Sequence, residues 1–442
     1  MGASGRRASR PKASTRILRP PATTALWALV ALTGCNSKPL ADFAPPAVDD
    51  SDDPGRRIPH GIQAPADQPE FDRVLCPDVN TAQEALSGAE KFFEAGELAA
   101  SFACADVASE LAPQAVEAHH LRAATLAALG RLTDAQVAFS MALALDPDDP
   151  ETLAAVSDFY INVVGARSRD QLTLGLEYAR RGSERAATRR RADRQLRARL
   201  LLLEAEAMND LGSADLALAR ILEALALVPE WIEAEHERGV SLFNLVRFDE
   251  ARAAFTKVLE RAPEDAFAHY HLGLIAEHTG DSASAQKHLA KAHELAPTEI
   301  GLELAIGADE FRAEVDAAIA ELGDEERELL EQTKLELVAL PTLEDLTAVK
   351  PPFAPTITGL YRGLPVGVDS VAADGAEPRP TDSLSKVGDA IPERAVVLFR
   401  KNLARHARSR AELDAQIRKT LRHEIGHARG LDEQELRRLG LD

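Results

Sequence analysis

The sequence predicts a mostly α-helical protein, an α-solenoid of paired helices followed by a small α+β domain. Three observations lead there. Aromatic residues make up only 5% of the chain while Ala, Leu and Glu abound, a composition that favours helices over sandwiches or barrels. Prolines recur at Pro113, Pro147, Pro229, Pro263 and Pro297, at spacings of 34, 82, 34 and 34 residues. Beyond Pro297 that period stops, and short stretches with the two-residue alternation of β-strands appear among helical ones. With 442 residues the chain has room for two or three domains with sizeable cores. Its net charge of −20 argues against a general nucleic-acid binder, which needs basic surface to displace counterions from phosphates.

The first residues read as a targeting segment, 1–34. Arg6, Arg7, Arg10, Lys12, Arg16 and Arg19 precede the apolar run "ATTALWALVALTG", which is too short to span a bilayer as a stable helix. The run ends in Leu32-Thr33-Gly34-Cys35. This resembles the bacterial lipobox, which implies lipidation at Cys35 and a lipid-anchored protein of the bacterial cell envelope. Asn36 follows in place of the Asp associated with inner-membrane retention, so the outer membrane is the expected attachment. An ordinary secretory signal would leave Cys35 incidental. Residues 35–80, rich in Pro, Asp and Gly, bury too little apolar surface to fold and are expected to form a disordered tether. Two cysteines remain, Cys76 and Cys104. In an oxidising compartment they can form a disulfide joining the tether to the first helical unit; otherwise they are two buried thiols.

Residues 81–300 carry the repeat. Counting back from each proline, the turn between paired helices falls at Gly96, Gly130, Gly212, Val246 and Gly280. A small residue that permits close packing of the second helix falls at Ser101, Ala135, Ala217, Ala251 and Ala285. "HHLRAATLAALGRLTDAQVAFSMALALDP" and "AHYHLGLIAEHTGDSASAQKHLAKAHELAP" show the pattern in full. The segment resembles tetratricopeptide repeat proteins, whose period is 34 residues. The 82-residue interval is one period plus 48, which places a stretched unit near 150–197 and about six units in all. The resemblance implies a right-handed superhelix whose concave face binds a protein or peptide partner. Arg238, Asn244, His269 and His271 are read as exposed candidates for such contacts, against the alternative of plain solvated helix surface.

Residues 301–442 form the last domain. "GADEFRAEVDAAIAELGDEERELLEQT" reads as one or two helices, and "KLELVALP" and "RAVVLF" as strands, with the loop-rich "PPFAPTITGLYRGLPVG" and a surface loop between them. "RSRAELDAQIRKTLRHEIGHARG" reads as a helix, with Ser409 and Glu412 as a capping box and Gly430 at its end. It contains His-Glu-x-x-His. His423 and His427, four apart, share a helical face, and Glu424 lies beside the first. Two imidazoles and a further ligand hold Zn2+ in hydrolytic sites, leaving a fourth position for water and a neighbouring carboxylate to take its proton. Such a motif also arises by chance in helices rich in Glu and His.

Five pieces, "DEFRAEVDAAIAEL", "LELVALPTLEDL", "ITGLYRGLPVG", "IPERAVVLFRKNL" and "LRHEIGHARGLDEQELRRLGL", resemble in order a bacterial family of minimal zincin-like metallopeptidases. That resemblance implies zinc-dependent peptide hydrolysis, with His423 and His427 as ligands and Glu424 as general base. The family pattern continues with an acidic residue three positions after Gly430, which here is Glu433 where the family usually has Asp. Asp432 is the alternative third ligand, and it also fits as the N-cap of a final short helix. The rival to an enzyme is a non-catalytic scaffold whose zincin-like domain is structural, or a simple adaptor with a chance motif.

Overall fold

A computed structural model describes residue 76 and residues 79–164, 168–188, 193–367 and 393–441. Among them the chain divides into two compact units, one ending at Asp146 and the other running from Pro147 onward. The expected signal segment with Cys35, most of the expected tether and residues 368–392, which hold the expected surface loop, lie outside the described residues. No helix among the described residues is long and apolar enough to cross a membrane.

The first unit holds α1 (Ala82–Glu94), α2 (Leu98–Leu111), α3 (Val116–Ala128) and α4 (Leu132–Leu145), paired as two helical hairpins. Thr81 and Glu84 form a reciprocal capping box that starts α1. Close packing rests on small side chains. Ala85, Ala89, Ala105 and Ala108 are fully buried, and the Ser101 hydroxyl donates to the Ala89 carbonyl at 2.9 Å while lying 3.1 Å from the Thr125 hydroxyl. Cys76 and Cys104 form a disulfide, 28 residues apart in sequence. Closing a loop of that length stabilises the folded state by about 3.5 kcal/mol in the chain-entropy model.

The second unit opens with α5 (Pro150–Asp158), which runs directly into one turn of π-helix at Phe159–Val163. Then come α6 (Arg169–Thr188), α7 (Arg194–Asp210), α8 (Ala214–Leu227), α9 (Ile232–Asn244), α10 (Phe248–Arg261), α11 (Ala266–His278) and α12 (Ser282–Leu295). The long repeat interval is accommodated by the π turn and by the 20 residues of α6.

The turn positions read from the repeat all have left-handed backbone. Gly96, Gly130, Gly212 and Gly280 have φ between 75° and 83°, and Val246 has φ 59°. A β-branched residue is disfavoured there by Cβ–carbonyl contact. Val246 is held by packing on two sides, against the repeat core and against the apolar cluster of Leu346, Phe353 and Leu360 in the C-terminal domain. The strained turn is thus a contact point between the last repeats and that domain.

The four residues read as exposed partner contacts are half-buried. Arg238 pairs with Glu235 at 2.6 Å, and His269 Nδ1 lies 2.9 Å from His288 Nδ1. His271 stacks on Phe255 with ring centroids 4.8 Å apart and hydrogen-bonds the Phe267 carbonyl. Inter-helix packing claims this imidazole, and the expectation of an exposed His271 is corrected accordingly.

The C-terminal part contains α13 (Ala308–Ala320), α14 (Asp324–Glu331), β1 (Lys334–Val338), α15 (Leu343–Thr347), β2 (Gly359–Arg362), β3 (Ala395–Phe399), α16 (Arg400–His406), α17 (Arg410–Ala428) and α18 (Glu433–Arg438). The strands form a sheet of order β1-β3-β2. β3 is parallel to β1, with Val338 opposite Phe399, and antiparallel to β2, with Arg362 opposite Ala395. β3 is buried on both faces, which explains its unbroken apolar run. Val396, Leu398 and Tyr361 meet Phe311 of α13 and Leu413, Ile417 and Leu421 of α17. Ala395, Val397, Phe399 and Leu360 meet Leu346, Phe353 and Ile357 on the other side. Glu277 of α11 binds Lys401 at 2.5 Å and also pairs with Arg405, and Arg405 bonds Glu303 at 2.9 Å. These partly buried pairs fix α16, and with it the start of α17, against the last repeat.

Candidate metal centre

α17 begins at Ser409, whose hydroxyl accepts from the Glu412 amide at 3.2 Å. The expected reciprocal bond is displaced by one residue: the Glu412 carboxylate takes the Arg408 amide at 2.7 Å, not that of Ser409. The buried face of the helix runs through Leu413, Ile417, Thr420, Leu421 and Glu424, the three- and four-residue spacing that faces a core.

The last turn presents His423 and His427 on the same side, with their Nε2 atoms 3.2 Å apart. Gly430, with φ 89°, reverses the chain so that α18 returns beneath the two rings. Asp432 caps α18, its carboxylate accepting from the Glu435 amide at 2.9 Å while Glu435 takes the Asp432 amide at 2.9 Å. Glu433, the first residue of α18, points its carboxylate at both imidazoles. Its Oε1 lies 3.4 Å from His423 Nε2 and 3.3 Å from His427 Nε2. The structure therefore brings together His423, His427 and Glu433, with Asp432 occupied as the cap.

Backbone carbonyls orient both rings. His423 Nδ1 donates to the Leu441 carbonyl at 2.9 Å, and His427 Nδ1 donates to the Leu431 carbonyl at 3.0 Å. A carbonyl only accepts, so Nδ1 carries a proton and Nε2 is the atom that each ring turns to the cluster, able to ligate once it is deprotonated. These carbonyls leave no side-chain signal in a sequence. β2 was missed for a different reason. It is only four residues long, inside a segment whose prolines and glycines read as loop.

The three donor atoms fit a metal ion on two counts. They form a triangle with sides of 3.2, 3.3 and 3.4 Å. Tetrahedral zinc with bonds of about 2.0–2.1 Å separates its ligand atoms by about 3.3 Å. Glu433 Oε1 is buried without a hydrogen-bond partner, which costs free energy unless a cation or proton satisfies it. Two neutral imidazoles and one carboxylate are also the donor set of hydrolytic zinc sites.

Electrostatics keep charge inside this buried cluster. Burial lowers the affinity of His423 for a proton, but the Glu433 carboxylate and the charge of Glu424 outweigh it, leaving the group raised to about 9. His427 is raised for the same reasons. Burial pushes the Glu433 carboxyl up, and the close approach of the two imidazoles pulls it down to about 2. Glu424 is raised by burial, against the opposing charges of both histidines.

Residues 330–441 match the model of the zincin-like metallopeptidase family, and residues 268–299 match that of the tetratricopeptide repeat. The protein thus carries tetratricopeptide repeats and a C-terminal zincin-like metallopeptidase domain. Similar solved structures include PilW, a type IV pilus biogenesis factor, at 19% identity over 50% of this chain and 96% of that one, TM-score 0.43. Another is Pseudomonas aeruginosa pilF, at 14% identity over 53% and 97%, TM-score 0.42. A third is the tetratricopeptide protein TTC0263 of Thermus thermophilus, at 23% identity over 47% and 100%, TM-score 0.36. No curated protein matches the chain.

Proposed function

We propose that this protein is a zinc-dependent peptidase of the bacterial envelope, anchored through lipidated Cys35, whose repeats hold a protein substrate or partner. The observation that carries the reading is the His423–His427–Glu433 triangle, with Glu424 beside it on the same helix. His423, His427 and Glu433 would hold the metal. Zinc, when bound, supplies Lewis acidity that polarises a peptide carbonyl and brings a water's pKa towards neutrality. Glu424 then takes the proton of the attacking water and returns it to the leaving amine. Burial raises the Glu424 carboxyl above its ordinary value, which favours its holding the proton between the two halves of that transfer. The Leu441 and Leu431 carbonyls hold the imidazoles in the ligating tautomer.

The test compares wild type with Glu424→Gln in the full chain. Peptide cleavage is expected to fall by at least about a hundredfold, the usual scale for general-base loss, with one zinc per chain retained. Equal activity in both proteins contradicts the reading. Stoichiometric zinc with no cleavage by wild type favours the scaffold alternative, and absence of zinc favours a simple adaptor.

A further inference from the structure

The carboxylate of Glu424 lies against β2 at a residue without a side chain. A Cβ placed on Gly359 would stand 2.7 Å from Glu424 Oε1, 2.9 Å from Glu424 Cγ and 2.5 Å from Thr420 Cγ2. Real carbon atoms do not approach so closely, so something must move. The backbone of Gly359 is not left-handed, and its requirement is for space alone.

The surroundings decide which group yields. Gly359 pairs with Leu398 of β3, and its neighbours Ile357 and Leu360 pack into the apolar cluster on the other side of the sheet, which holds β2 in place. Thr420 is tied through its hydroxyl to Thr358, 3.2 Å away, and a rotation that withdrew its methyl would break that contact. Glu424 approaches Gly359 only through its side chain. Its terminal carboxylate, at the end of rotatable bonds, is the group that moves most easily. It is also the group whose position matters to the reaction.

We propose that Gly359 is a positioning residue for the reaction, its absent side chain forming the slot that holds the Glu424 carboxylate beside the metal. A side chain at 359 displaces the base and leaves His423, His427 and Glu433 in place. This rests on the proposed role of Glu424, and the experiment separates the two ideas.

The probe is acetohydroxamate, which chelates zinc and donates a hydrogen bond to a neighbouring carboxylate. Its binding to zinc-loaded, full-length protein is measured for wild type, Glu424→Gln, Gly359→Ala, Thr420→Ala and the Gly359→Ala/Thr420→Ala double variant. Zinc content, melting temperature and peptide cleavage are followed alongside. Loss of the charge-assisted hydrogen bond predicts at least about tenfold weaker acetohydroxamate binding in Glu424→Gln and Gly359→Ala, with one zinc retained in each. Removing the Thr420 methyl in the double variant restores the melting temperature and leaves the hydroxamate weakly bound. Thr420→Ala alone binds it as wild type does. A double variant that binds acetohydroxamate as tightly as wild type overturns the proposal, as does loss of zinc from it. If Glu424→Gln weakens the hydroxamate but wild type cleaves no peptide, the slot stands and the peptidase reading fails. If Glu424→Gln leaves binding unchanged, Glu424 does not face the metal and both fall.

Discussion

Zinc and protons compete for the same two nitrogens, so metal affinity at this site should rise with pH. In the metal-free protein His423 is raised to about 9, because the Glu433 carboxylate and the charge of Glu424 outweigh the effect of burial. A ligating histidine must be neutral. At pH 7, about two pH units below that value, displacing the His423 proton weakens zinc about a hundredfold relative to the fully neutral ring. His423 alone should make affinity climb by about one power of ten per pH unit from pH 6.5 to 8 and less steeply as pH nears 9, and His427, raised as well, adds to that slope. Stability follows the opposite course without metal. Both histidines bind a proton more tightly when folded. The His423 contribution is therefore complete below the unfolded value of about 6.5 and disappears as pH rises through about 9, and that of His427 is lost in the same direction. The melting temperature of metal-free protein should fall across that interval, while the increment on adding zinc should grow. Competition against a chromophoric chelator, with melting curves at matched pH, measures both. A zinc affinity independent of pH from 6.5 to 9 would refute the reasoning.

Three further outcomes are expected. Asp432→Ala removes a helix cap and should cost about 1 kcal/mol of stability with zinc affinity changed only a few-fold, whereas Glu433→Ala should abolish tight zinc binding and leave the cap intact; calorimetry of the pair distinguishes them. Deleting residues 440–442 removes the Leu441 carbonyl from His423 and should weaken zinc by about 10–100-fold, read by the same chelator competition. His271 is lowered to about 4 by burial and by His236, with Glu237 and Asp265 opposing. The unfolded chain takes that proton first, so stability present above pH 6.5 is lost as pH falls towards 4. His271→Phe, which can keep the stack on Phe255, should flatten the acid side of a urea-denaturation series at pH 5 to 7.

Features that repeat or follow a strict period were legible in the sequence. The proline spacing located the helix pairs, and counting back from it found left-handed turn positions, including Val246, where glycine is absent. The strands "KLELV" and "AVVLF" and the helix bearing the two histidines announced themselves by period and capping residues. What could not be read depends on contacts between distant segments. His271 carries a polar side chain on a helix, and only the approach of Phe255 and Phe243 turns it inward. Asp432 and Glu433 are adjacent acids, and one-dimensional spacing does not say which faces the metal. The cap geometry of α18 separates them, binding Asp432 to the Glu435 amide and directing Glu433 to the histidines. The ring-orienting carbonyls of Leu431 and Leu441 belong to the backbone and could have been any residue.

The central claim is that His423, His427 and Glu433 together hold one zinc ion. X-ray data collected on crystals of the zinc-loaded protein, on both sides of the zinc absorption edge, test it most directly. The account predicts a single anomalous peak per chain, about 2.0–2.2 Å from His423 Nε2, His427 Nε2 and a carboxylate oxygen of Glu433. A peak bound by Asp432 in place of Glu433, or no peak between the histidines, contradicts it.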